Sequence, residues 1–132
     1  MHDVPKEVIV NYCKRHKEIV AVYLFGSRAG NTHTQQSDVD IAVLLKNETD
    51  QFDLLDFIIS LERKLELPVD AVILNRAGEI LKYQVRSRGV LLYESDALFR
   101  KEFEVRSRKY FEDFQYIHKR YTRHVLYGDI NG

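Results

Sequence analysis

The chain holds a single cysteine, Cys13, and only two prolines, and nowhere do about 18 apolar residues run together. One thiol excludes an internal disulfide framework. Without a long apolar run, no transmembrane helix is expected. The first residues, MHDVPKEVIVNYCKRHKE, carry charges throughout and contain no apolar stretch of the signal-peptide kind. A reduced, cytoplasmic chain is therefore expected. With so little proline and 45% hydrophobic residues, the chain is not a disordered one. The balance of charge is also missing a sign: 20 Lys and Arg face 20 Asp and Glu. That excludes the basic footprint of a nucleic-acid binder. The halves do differ, with 8 basic against 11 acidic residues in 1–66 and 12 against 9 in 67–132. That polarity steers an acidic partner toward the C-terminal half. The five histidines and Cys13 show no zinc-ligand spacing, and Cys13 reads as a core residue.

What is present fits one α/β domain of 132 residues, with a core that buries roughly two-thirds of the unfolded surface. Residues 5–16 read as a helix, since Pro5 suits a helix start and Val8, Ile9, Tyr12 and Cys13 fall at helical spacing. IVAVYLF (19–25) is β-branched and apolar, a buried strand. GSRAGNTHTQQS is a polar loop, with room for a short helical turn after Gly26. DVDIAVLL (38–45), LPVDAVIL (67–74) and GVLLYE (89–94) read as further strands, and 50–66 and 77–88 as helices between them. From 97 to 128 no Pro or Gly interrupts the chain until Gly128, which is placed to cap a helix. Phe99, Phe103, Tyr110, Phe114, Ile117 and Tyr121 form a stripe at helical period along it. Such a helix, about 45 Å long, outspans a domain of this size, so part of its apolar stripe awaits another surface.

The chemistry sits in LFGSRAGNTHTQQSDVDIAVLL (24–45). Alternate side chains on a strand share a face, so Asp38 and Asp40 point the same way at the mouth of an apolar strand. Two like charges so close oppose each other's ionisation unless a cation stands between them. Hard oxygen ligands with few protein contacts suit Mg²⁺, which keeps phosphate oxygens and waters as its other ligands. Gly26 permits close backbone approach, Ser27 offers a hydroxyl and an amide at a turn, and Arg28 adds a forked cation, all suited to phosphate. Asp70 stands in an apolar strand, an expensive place for an acid without a metal or a partner. If its strand lies beside that of Asp40, the three carboxylates make a two-metal site for in-line displacement at phosphorus.

Gly26-Ser27, ten residues, Asp38-x-Asp40 and then Asp70 resemble the nucleotidyltransferase superfamily related to polymerase beta. The phrasing LFGSRAG…SDVDIAVLL…VDAVIL is similar to its minimal nucleotidyltransferases, the MNT proteins, over residues 5 to about 94. The resemblance implies a short mixed sheet with flanking helices. It implies that Asp38 and Asp40 hold the metals that bind a nucleoside triphosphate, that Asp70 binds the second metal and helps activate the acceptor hydroxyl, and that Gly26 and Ser27 grip the terminal phosphates. Where many relatives have Gly-Ser-Arg-Ala-Arg-Gly, this chain keeps Arg28 and passes from Ala29 directly to Gly30. The long aromatic and basic tail resembles the antitoxins of HEPN–MNT toxin–antitoxin pairs. That implies residues 1–96 as the nucleotidyltransferase domain and 97–128 as a helical extension docking a HEPN ribonuclease toxin through Phe103, Tyr110, Phe114 and Tyr121. It also implies ATP as donor of AMP to a tyrosine of the toxin.

Other readings keep the same residues. A small-molecule hydroxyl, as in antibiotic-modifying relatives, would replace the toxin as acceptor, although those relatives carry a helical substrate domain for which this chain has no room. An antitoxin that acts by occlusion alone would neutralise without Asp38 and Asp40. His33, in the loop, reads as exposed rather than as a nucleotide contact. The basic residues from Arg106 to Arg123 alternate with aromatics, which would also suit RNA, but Glu102, Glu104, Glu112 and Asp113 in the same stretch favour a protein interface.

Overall fold

The computed structural model describes residues 4–30, 37–47 and 52–123. Its elements run α1 (Lys6–Cys13), β1 (Ile19–Phe25), a 3₁₀ turn at Gly26–Ala29, β2 (Val39–Leu45), α2 (Leu54–Leu65), β3 (Val69–Ile73), α3 (Glu79–Arg88), β4 (Val90–Glu94) and α4 (Ala97–Arg123). The four strands order as β3-β2-β1-β4. β1 pairs antiparallel with β2 and with β4, whereas β2 and β3 run parallel, joined by α2. A mixed sheet with helices on both faces follows, as the family resemblance implies.

Local chemistry sets the element ends. The Asp53 side chain accepts from the Asp56 amide at 3.0 Å and caps α2, so the helix begins at Leu54 rather than at 50. Glu66, at φ 57°, ends it with its amide on the Glu62 carbonyl. α1 stops at Cys13 instead of 16, because the amides of Arg15 and His16 turn to carbonyls three residues back and tighten the chain out of the helix. Asp96 accepts from the Phe99 amide at 3.0 Å and starts α4 at Ala97. Gly128, the expected C-cap, lies outside the described residues. Beyond the end of β3, Asn75 stands in for a strand residue: its amide group both accepts from and donates to the Leu45 backbone, each at 2.8 Å.

Alternation along the strands divides the core in two. Val22, Leu24, Ile41, Val43, Val69 and Ala71 face α1 and α2, where Ile9, Phe57 and Leu61 meet them. Tyr23, Ala42, Leu44 and Val72 face the opposite way, toward Val85 of α3 and Phe99 and Phe103 of α4. Cys13 is buried as expected, and burial pushes its thiol up to about 12.

α4 corrects the sequence reading of its own stripe. The residues it turns inward are Phe99, Phe103, Ser107 and Phe111, in steps of four. A four-residue step drifts around a helix by about 40°, so the buried stripe winds across the face of α4. Phe103, expected to dock a partner, is half-buried and packs against the second core. Phe111 is buried and stacks on Tyr83 at 4.4 Å between ring centroids, with the Arg86 guanidinium over both rings. The other end of the seam is a clasp: the Tyr23 hydroxyl donates to Glu104 at 2.7 Å, and Arg100 links Glu104 to Glu94. Off that stripe, Tyr110, Phe114, Ile117 and Tyr121 stand exposed, at 59%, 41%, 65% and 66%. The boundary drawn at 96/97 falls where α4 begins, but the first half of α4 belongs to the second core. Among the described residues no helix is long and apolar enough to cross a membrane.

Candidate active site

The strand register assembles the acids. Phe25 pairs with Asp40, and Asp40 stands directly opposite Asp70 in the parallel β2–β3 pair. Opposed residues of neighbouring strands are about 5 Å apart and share a face. That face is the one Tyr23 and Phe25 present to α3 and α4. Asp38 precedes β2 by one residue and is exposed, as is Asp70, while Asp40 is half-buried between them. Burial first, then the charges of Asp70 and Asp38, raise the Asp40 pKa above the ordinary carboxylate range. Two bonds donated by backbone amides hold the mouth of the site. The Val39 amide donates to the Pro68 carbonyl at 2.8 Å, and the Val69 amide donates to the Glu62 carboxylate at 3.0 Å.

Gly26 meets this group from β1. Its φ is +73°, and a Cβ there would collide with Asp40 Oδ2 and stand 3.1 Å from Asp40 Cγ. Glycine is thus required twice, by the left-handed backbone and by the approach of the carboxylate. Ser27 follows, half-buried, at the start of the 3₁₀ turn, its carbonyl accepting from the Gly30 amide at 3.3 Å. Arg28 turns inward: it is 2% exposed, and its Nε donates to the Ser37 carbonyl at 2.9 Å. His33 lies outside the described residues.

The residues fit a hard divalent cation. All three side chains offer carboxylate oxygens, and Asp40 pays for its ionisation in the repulsion of the other two, which a cation relieves. Among the described residues no three His, Cys, Asp or Glu side chains form a ready-made cage. Sequence reasoning singled out Gly26, Ser27 and the three acids, and the structure brings Asp40, Asp70 and Gly26 together. It missed the inward turn of Arg28, for which no local pattern exists. It also left out Ile80 and Tyr83 of α3, whose exposed side chains join the α4 surface; their three-residue spacing on a short helix was the available signal.

Residues 7–98 match the family model of the polymerase beta nucleotidyltransferases. The protein adenylyltransferase MntA of Shewanella oneidensis is 36% identical over 81 residues, which take in 59% of this chain and 58% of that protein's length. A chain of a toxin–antitoxin crystallised with AMP-PNP superposes with a TM-score of 0.74 at 25% identity, over 98% of this chain and all of its own. The complex of a tri-AMPylated Shewanella oneidensis HEPN toxin with its MNT antitoxin shares the fold, with a TM-score of 0.63 at 23% identity over 96% of this chain and 99% of the other. With the glycine turn, the paired acids and the sheet that joins them, the chain belongs to the polymerase beta nucleotidyltransferase family.

Proposed function

We propose that this protein is the antitoxin of a toxin–antitoxin pair and transfers AMP from ATP to a tyrosine hydroxyl of a HEPN-family ribonuclease toxin. The observation that carries the reading is the register setting Asp40 against Asp70, with Asp38 and Gly26 beside them. The likeness to an adenylyltransferase, and to a toxin–antitoxin chain over nearly the whole length including α4, supports the acceptor. Chemistry then resides in 1–96 and docking in 97–128, through Tyr110, Phe114 and Tyr121, in the cytoplasm where ATP is at hand.

In this reading Gly26 and Ser27 present a turn amide and a hydroxyl to the terminal phosphates. Asp38, Asp40 and Asp70 would hold two Mg²⁺ ions, which when bound would neutralise phosphate charge and favour the ionised acceptor. A bond forms between the tyrosine oxygen and the α-phosphorus while the bond from that phosphorus to the β-phosphate oxygen breaks. Pyrophosphate leaves, and Asp70, at the exposed rim, takes the hydroxyl proton. The protein's part is positioning and charge neutralisation.

The test mixes protein, Mg²⁺ and each α-labelled triphosphate, with and without the toxin, beside an Asp38→Ala/Asp40→Ala variant. Label on the toxin from ATP, lost in the variant, is the expected result. Neutralisation by the variant with no label in either sample would instead make occlusion the mechanism. Label on an added aminoglycoside and none on the toxin would make the acceptor a small molecule.

A further inference from the structure

We propose that Arg28 is a positioning residue for Asp38, tying the phosphate turn to the metal-binding acid; this rests on the nucleotidyltransferase reading above. Asp38 lies just outside β2, with its carboxylate exposed. Its backbone is held from both sides. After it, the Val39 amide donates to the Pro68 carbonyl at 2.8 Å. Before it, the Ser37 carbonyl accepts from Arg28 Nε at 2.9 Å. Arg28 follows Ser27 in the Gly26–Ala29 turn, and is buried at 2% exposure, where a guanidinium persists only with fixed partners. Its planar Nε–H has one direction to donate. One side chain therefore joins the two halves of the motif, Gly26-Ser27 and Asp38-x-Asp40, across the chain between them. The orientation of the acid and of the turn is set together. Partners that orient a metal ligand typically alter metal affinity or activity by about 10–100-fold when lost, and Arg28 acts from one residue away through the Ser37 carbonyl.

The test is a double-mutant cycle on Mn²⁺ binding, followed by electron paramagnetic resonance, with wild type, Arg28→Lys, Asp38→Asn and the double variant. Arg28→Lys is expected to weaken Mn²⁺ binding about 10–100-fold, and to add nothing to Asp38→Asn. Affinity for ATP in EDTA is expected to stay unchanged. Loss of metal-free ATP affinity with Mn²⁺ binding intact would make Arg28 a phosphate ligand and overturn the proposal, and so would additive effects in the cycle. Should Arg28→Lys not fold, the native protein decides: the Arg28 Nε resonance should show a through-hydrogen-bond coupling to the Ser37 carbonyl and respond to Mg²⁺, not to ATP in EDTA. Absence of that coupling, or the reverse response, would sink the idea. Wild type that binds neither Mn²⁺ nor ATP would count against the nucleotidyltransferase reading, while the coupling still decides the role of Arg28.

Discussion

Three acids and one glycine carry a conflict between stability and chemistry that single substitutions should expose. Asp40→Asn removes a charge that its surroundings oppose. Because the folded pKa of Asp40 is raised, the folded state holds its proton more tightly than the unfolded chain does. Stability from this group is thus lost as pH rises through the interval from the unfolded value of about 3.9 to the raised folded one. The variant should therefore melt higher at pH 7, by about 2–5 °C, with no gain at pH 3 where the native carboxyl is protonated in both states. Transfer activity should fall by a factor of 100 or more. Mg²⁺ relieves the same repulsion, so it should raise the wild-type melting temperature at pH 7 and leave Asp40→Asn nearly unmoved; EDTA should reverse the gain. Gly26→Ala meets both the left-handed φ and Asp40, and should cost more than the roughly 1–2 kcal/mol of the backbone conformation alone. A urea melt reads it. The acids and Gly26 were legible in the sequence because like charges at strand spacing need a cation. The inward turn of Arg28 was not, since nothing in the local pattern places the Ser37 carbonyl beside its Nε.

At the scale of elements, hydrophobic runs and turn residues placed every strand and helix, and the errors lay at ends where capping bonds decide. The Asp53 cap and the turn after Cys13 each depend on a few hydrogen bonds that run lengths do not encode. α4 shows a deeper limit. Its aromatics fit more than one stripe of helical period, and only the packing against α3 and β1 selects Phe103, Ser107 and Phe111 over Phe103, Tyr110 and Phe114. Two substitutions check the selection by chemical denaturation. Phe111→Ala should cost about 3 kcal/mol, by the usual toll of a buried aromatic, and Phe114→Ala, half-exposed, less than about 0.5 kcal/mol. Tyr23→Phe should cost about 1 kcal/mol by taking a hydrogen bond from Glu104.

At the scale of the whole molecule, the far half of α4 is a surface with its own character. From 105 to 123 it carries Arg106, Arg108, Lys109, Lys119, Arg120 and Arg123 against Glu112 and Asp113. Exposed Tyr110, Phe114 and Tyr121 lie among them. A toxin with an acidic rim around an apolar patch fits that pattern. Phe114→Ala should then weaken toxin binding by about tenfold or more in a calorimetric titration. The association rate should fall several-fold between about 50 and 500 mM salt as the charges are screened.

The parallel pair of β2 and β3 bears on the order in which the protein comes together. β1 and β2 are neighbours in chain and sheet, but Asp70 reaches Asp40 only after α2 has carried the chain back across the sheet. Contacts of that range form late, because the loop must close before any bond rewards it. A newly made chain thus gains its helices and its first strand pair before it gains chemistry. A weakened Leu61, on the inner face of α2, should slow the appearance of Mg²⁺ response in refolding more than it slows the helical signal. The same delay keeps Asp70 from the charges of Asp38 and Asp40 until the sheet that forces them together can hold them.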